Sequence, residues 1–147
     1  MPIIATTTVE NPAWDLSFVI KRLTSKEKLP PELALRAVEE YRKFLVLCKE
    51  LPATELCVAG LVDVAWHSHI LHTKRYADFC ARELGYFLHH SPVAQGDGRP
   101  SCLETMTLVA DRFGTVDKPI WQPLDDDPDY AAACSVDSEA DCGKREA

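Results

Sequence analysis

From Leu33 to Cys48 the apolar side chains recur at three- and four-residue steps: Leu33, Ala37, Tyr41, Phe44, Leu45 and Cys48. That spacing lays one stripe along an α-helix. Pro30-Pro31-Glu32 opens this helix, and Pro52 bars it from running far past Lys49. A helix before it takes Asn11 as N-cap and Pro12 as its first residue. Trp14, Phe18 and the Ile20 to Leu23 stretch give that helix its apolar face, up to Lys26-Glu27-Lys28. A third helix is predicted from about Leu61 to Leu84, with Gly85 as its stop. The fourth carries a capping box, Ser101 with Glu104, and runs through Leu103, Met106 or Thr107 and Ala110 to Phe113 and another stop, Gly114. A loop from Phe87 to Pro100 joins the last two, and Pro119-Ile120-Trp121 reads as a short extended piece. No alternating pattern of strand type runs for more than a few residues. The expectation is an all-α fold: a single compact domain of about four main helices over residues 1–124.

Charge separates the last segment from the rest. The 147 residues carry a net charge of −7. From Asp125 onward eight acidic residues face only Lys144 and Arg145, which assigns −6 to residues 125–147 and leaves the body near neutral. That acidic tail has few large apolar residues and is expected to be mobile or loosely docked. A neutral body has no basic stripe for phosphates, so nucleic acid is not an expected partner. No apolar run reaches the ~18 residues of a membrane span, and the start, MPIIATTTVE, lacks the basic and apolar regions of a secretory signal. The expected setting is therefore cytoplasmic, without membrane, and the six cysteines are expected as thiols. None of them forms a C-x-x-C pair. Cys48, Cys57, Cys80 and Cys102 read as core or incidental residues, and Cys134 and Cys142 as weak metal candidates in the tail.

Chemistry concentrates elsewhere. All five histidines, His67, His69, His72, His89 and His90, fall within one short stretch. Imidazole is the commonest metal ligand and the side chain that titrates nearest neutrality. At about 100° per residue, Asp63 and His67 share one face of the third helix. His69 aligns with Tyr76 and Cys80 on a second face, with His72 to one side. His67 and His69 are about 160° apart around the axis, so one ion cannot take both from a regular helix. His89 and His90 follow the Gly85 stop and can fold back as partners. Asp63, His67 and one of that pair make a two-histidine, one-carboxylate set of the kind that holds non-haem Fe(II) or catalytic Zn(II). His69 and His72 with the other loop histidine make an alternative three-histidine set. The plainer reading stands beside these: Asp63 orients His67 in a structural pair, and His89 and His90 close a turn. No nucleophile elbow, glycine-rich phosphate loop or dinucleotide fingerprint occurs.

The run Val62-Asp63-Val64-Ala65-Trp66-His67-Ser68-His69, continuing to Tyr76, then Phe79-Cys80, Gly85, Phe87-Leu88-His89-His90 and Pro92, resembles the glycine-rich domain-containing-protein-like family. Tyr41 to Leu45, Arg112-Phe113-Gly114 and Ile120-Trp121 add to the likeness. The resemblance maps the family pattern onto Asp63, Trp66, His67, Tyr76, Cys80, Gly85, His89, His90 and Pro92, and shifts the weight to Asp63, His67 and His90. It implies a helical fold and a site, and carries no reaction with it. After Pro92 the chain reads Val93-Ala94-Gln95-Gly96 where some relatives carry an aromatic-glycine segment.

Two function classes follow. One is a small metalloenzyme using Fe(II) or Zn(II), with Asp63, His67, His89 and His90 as candidate ligands. Tyr76, His69 and His72 are then its candidate catalytic groups, and its substrate is a small molecule or peptide. The other is a non-catalytic interaction or scaffold domain whose Asp-His-Trp cluster is structural.

Overall fold

A computed structural model describes residues 13–90 and 101–124. Among these the chain is helical: α1 (Ser17–Ser25), α2 (Pro31–Glu50), α3 (Gly60–Leu71), α4 (Thr73–Phe79) and α5 (Cys102–Phe113). A π-helical turn, Cys80–Leu84, continues α4, and a 3-10 turn, Lys118–Trp121, follows α5. The acidic tail lies outside the described residues, as do Asn11, Pro12 and Pro92.

The long helix α2 is the spine. Its predicted stripe is buried as Ala37, Tyr41, Phe44, Leu45 and Cys48, each fully enclosed, with Ala34, Val38, Val46 and Leu47 widening it. Burying a side chain of the Leu or Phe class contributes roughly 1.5–3 kcal/mol. That stripe packs against α1, α3 and α5. Helix α3 is different in kind. Val62, Asp63, Val64, Ala65, Trp66, Ser68 and His69 are all buried, so it has almost no solvent face. It is held between α1, α2 and the 3-10 turn. Its start needs glycine: Gly60 has φ +57°, and a Cβ there would lie 2.3 Å from the Gln122 carbonyl oxygen. Beside it, Trp121 donates from Nε1 to the buried carboxylate of Glu40 at 2.9 Å, and Lys43 donates to the other oxygen of that group at 2.8 Å. That network ties the 3-10 turn to α2.

Several sequence expectations hold and others are corrected. Glycine ends both predicted helices in the left-handed region, Gly85 at φ +85° and Gly114 at φ +83°. Both halves of the capping box are made, Glu104 N–H to Ser101 Oγ at 3.1 Å and Ser101 N–H to Glu104 Oε1 at 2.7 Å. The first helix, however, starts at Ser17, with Asp15 accepting from the Ser17 amide at 3.1 Å and its hydroxyl at 2.7 Å. Ala13 to Leu16 form an irregular strap, anchored where Arg42 donates to the Trp14 carbonyl at 2.7 Å. The predicted third helix is two: it breaks at His72, where ψ is 70° and the amide bonds back only three residues, to the His69 carbonyl. The piece expected to be extended at Pro119 to Trp121 is the 3-10 turn. Cys57 and Cys102, expected as thiols, form a disulfide that joins the approach to α3 with the start of α5. Cys48 and Cys80 are free and buried.

Candidate metal centre

Asp63, in the first turn of α3, is buried with only 7 % of its side chain exposed. A lone carboxylate in such a place is costly, so its partners define the site. One turn on, His67 brings Nε2 to 3.9 Å from Asp63 Oδ1. The chain after Gly85 runs back toward α3 and sets His90 Nε2 2.6 Å from the same oxygen, donating to it. One donor atom from each of Asp63, His67 and His90 lies within 4.8 Å of the others. The two imidazoles stack, their centroids 4.5 Å apart. Exposure is graded across the three: His67 has 53 % of its side chain in solvent and His90 23 %. The buried carboxylate is thus the floor and His67 the open wall.

The position of His90 is determined from behind. Trp66 lies flat against its ring, centroids 4.0 Å apart. Trp66 Nε1 donates to the Tyr76 hydroxyl at 3.0 Å, and that hydroxyl donates to the Leu88 carbonyl, two residues before His90. One phenol therefore ties α3, α4 and the returning segment together. Burial holds the Tyr76 hydroxyl well above the ordinary tyrosine range, so it stays protonated and keeps that donor role.

The other sequence candidates lie apart. His89 is exposed, its ring against Phe87 at 4.7 Å, and is not in the cluster. His72 donates from Nδ1 to the Ser68 carbonyl at 2.8 Å, closing the break between α3 and α4. His69, expected to share a face with Tyr76 and Cys80, is 1 % exposed. Its Nδ1 meets the Tyr41 hydroxyl at 2.7 Å, and Phe18, Tyr41, Tyr76 and Phe79 ring it edge-on. Burial, with His72 nearby, drives its pKa down to about 4. Among the described residues no hydrogen bond or ring contact joins His69 or His72 to Asp63, His67 or His90. Sequence reasoning gave Tyr76 a place near the site but missed its bond to Leu88, since nothing in the chain marks which carbonyl a buried phenol will find. Tyr41, on the predicted stripe of α2, and Trp66 turn their polar ends to His69 and Tyr76.

A helical domain with a carboxylate and two imidazoles converging at the edge of its central helix is the class these observations define. Within that class a model of the UCP032817-like family matches residues 7–99, more than half of the chain, and the protein belongs to that family. The resemblance to glycine-rich domain-containing-protein-like proteins is corrected by this match. The matched span contains Asp63, His67 and His90. No curated protein and no solved structure matches the chain.

Proposed function

We propose that this protein is a small metal-dependent enzyme that holds one Fe(II) or Zn(II) ion through Asp63, His67 and His90. The observation that carries the reading is the approach of three ligand atoms of the right types to within 4.8 Å of one another. Donors bound at ~2.0–2.2 Å to one ion sit roughly 3–3.4 Å apart, so the present spacings need shifts of an ångström or so. His67 has the freedom to make them, because half of its side chain is in solvent. An ion would take the place of the hydrogen that His90 now donates to Asp63, and the neutral imidazole would then carry its proton on Nδ1. Three protein ligands leave at least one position for water or a substrate oxygen, which the metal would polarise. Around it, Trp66 and Tyr76 act as positioning residues for His90. The Cys57–Cys102 bond suits an oxidising setting better than the cytoplasmic one expected from sequence.

A second reading has one observation in its favour. The 2.6 Å bond between His90 and Asp63 satisfies the buried carboxylate by itself, so the cluster also works as a clamp in a non-catalytic scaffold. Elemental analysis of tag-free protein separates the two. The metal reading expects close to one iron or zinc per chain, lost in His67→Ala with the helical circular dichroism retained. Metal-free wild-type protein after reconstitution attempts with both ions supports the clamp.

A further inference from the structure

On the far side of α3 from the candidate metal centre lies a cleft of 360 Å³, between the Ala13–Leu16 strap with Phe18 and the outer face of α4. Three aromatic side chains wall it. Trp14 meets Phe79 edge-on at 4.9 Å and is fixed by donating from Nε1 to Glu83 at 3.1 Å. Phe18 stands opposite, with the guanidinium of Arg75 over its ring at 4.6 Å. At the floor is His69.

The floor carries an unused polar atom. Tyr41 is fully buried, and its only hydrogen-bond partner among the described residues is His69 Nδ1. Were the phenol to accept there, its own proton would be a buried orphan, costing about 1–3 kcal/mol. Tyr41 therefore donates to Nδ1, and the proton of this neutral imidazole sits on Nε2. Nε2 has no partner among the described residues. The cleft thus ends in an N–H donor within an imidazole 99 % buried.

The rim carries one basic and one acidic group without a hydrogen bond among the described residues. Asp15 is occupied by Ser17, and Glu83 by Trp14 and Arg82. Arg75 and Asp78 remain, both exposed, three residues apart on α4, and not paired with each other. Arg75 presents its fork over Phe18 without a hydrogen bond, with the Asp15 carboxyl as a charge neighbour that it helps to hold below the usual carboxylate range, and Asp78 has neither hydrogen bond nor ion pair among the described residues. A ligand complementary to this cleft has a flat apolar body and an oxygen acceptor at its deep end. At its outer end it carries a carboxylate and an ammonium on neighbouring atoms.

We infer that the cleft binds a free aromatic α-amino acid whose ring bears an oxygen, the tyrosine class. Its carboxylate sits on Arg75 and its ammonium on Asp78, and its ring oxygen accepts from His69 Nε2 while its own hydroxyl proton is left to water in the open cleft. The inference is independent of any metal.

Calorimetric titration of the full chain with four probes tests it: L-tyrosine, L-phenylalanine, tyramine and desaminotyrosine. Each of the last three lacks one recognised group. The expected result is saturable binding of tyrosine, with each of the others weaker by about tenfold, as loss of one hydrogen bond implies. Arg75→Ala should erase the advantage over tyramine, and Asp78→Asn the advantage over desaminotyrosine. His69→Phe should erase the advantage over phenylalanine. The two rim residues are exposed, so their variants keep the test informative even where the His69 variant does not fold. No saturable heat with tyrosine overturns the inference. So does equal binding of all four probes, or tyrosine affinity unchanged in both rim variants.

Discussion

His67 and His69 are two residues apart on one helix, and the fold gives them opposite lives. His67 faces water beside a buried carboxylate and a second imidazole. His69 is buried among four aromatic rings with a phenol bonded to its Nδ1. The cause is the angular step of the helix: two residues is about 200°. A helix packed on nearly all sides leaves only one narrow strip for solvent. His67 falls on that strip, and His69 falls against α1 and α2. A histidine cluster in sequence is therefore not a cluster of equivalent ligands. One imidazole keeps the freedom to bind an ion; the other has been converted into a neutral core residue with one donor to spare.

The largest perturbation strikes both sides at once. Asp63, His67, His69 and His90 all lie within the loop closed by Cys57–Cys102, a separation of 45 residues. Replacing both cysteines by serine frees that loop in the unfolded chain and should cost about 4 kcal/mol on the chain-entropy account. Urea unfolding of the two forms measures it, and a difference below ~1 kcal/mol would show that the bond does not constrain this region.

The buried side should then break alone. His69→Ala opens a cavity and leaves the Tyr41 hydroxyl unpaired, for a loss of about 3 kcal/mol. The same residue gives a pH signature. Its pKa is about 4 in the fold against 6.5 unfolded. The unfolded chain therefore binds the extra proton first, between those values. Its contribution to stability is complete above pH 6.5, declines as pH falls through that window and levels off below about 4, a total of roughly 3 kcal/mol. Denaturant midpoints recorded across this range should lose that component of their slope in His69→Phe; an identical pH profile would contradict the burial account.

Tyr76→Phe probes the link between the two sides. It deprives Trp66 Nε1 of its acceptor and the Leu88 carbonyl of its donor, for about 2 kcal/mol, and loosens the segment that delivers His90. Metal affinity should weaken with it, by about tenfold, while Val109→Ala, equally buried on α5, should change stability without that loss of affinity. The smallest effect on folding belongs to His67→Ala. An exposed side chain outside the core should move stability by no more than about 0.5 kcal/mol, yet this variant should lose its metal. Parallel thermal melts and metal assays make the contrast with His69→Ala.

Much of this was written in the chain, and the parts that were not have physical reasons. The stripe of α2, the capping box of α5 and the stops at Gly85 and Gly114 are local features, set by residues within a turn or two, and periodicity finds them. The grouping of Asp63 with His67 is an i,i+4 relation of the same kind, and the return of His90 follows from the stop at Gly85. What escaped was long-range. The break at His72 is made by an imidazole that bonds its own preceding turn, in a sequence whose apolar pattern runs straight through. Gly60 looks like an ordinary helix residue until Gln122 arrives against it from the far end of the chain. The pairing of Cys57 with Cys102 has no spacing signal, and it reverses the expectation of thiols. Glu40, on the buried side of α2, is comprehensible only once Trp121 and Lys43 are placed beside it.

The proposed ion would sit where the carboxylate and the two stacked imidazoles meet. An anomalous-difference map from crystals of protein loaded with Fe(II) or Zn(II) tests this placement most directly. The placement predicts a single peak ~2.0–2.2 Å from an Asp63 oxygen and from an imidazole nitrogen of His67 and of His90. It is contradicted if that position is empty while the His90–Asp63 hydrogen bond persists, or if the ion sits on other side chains.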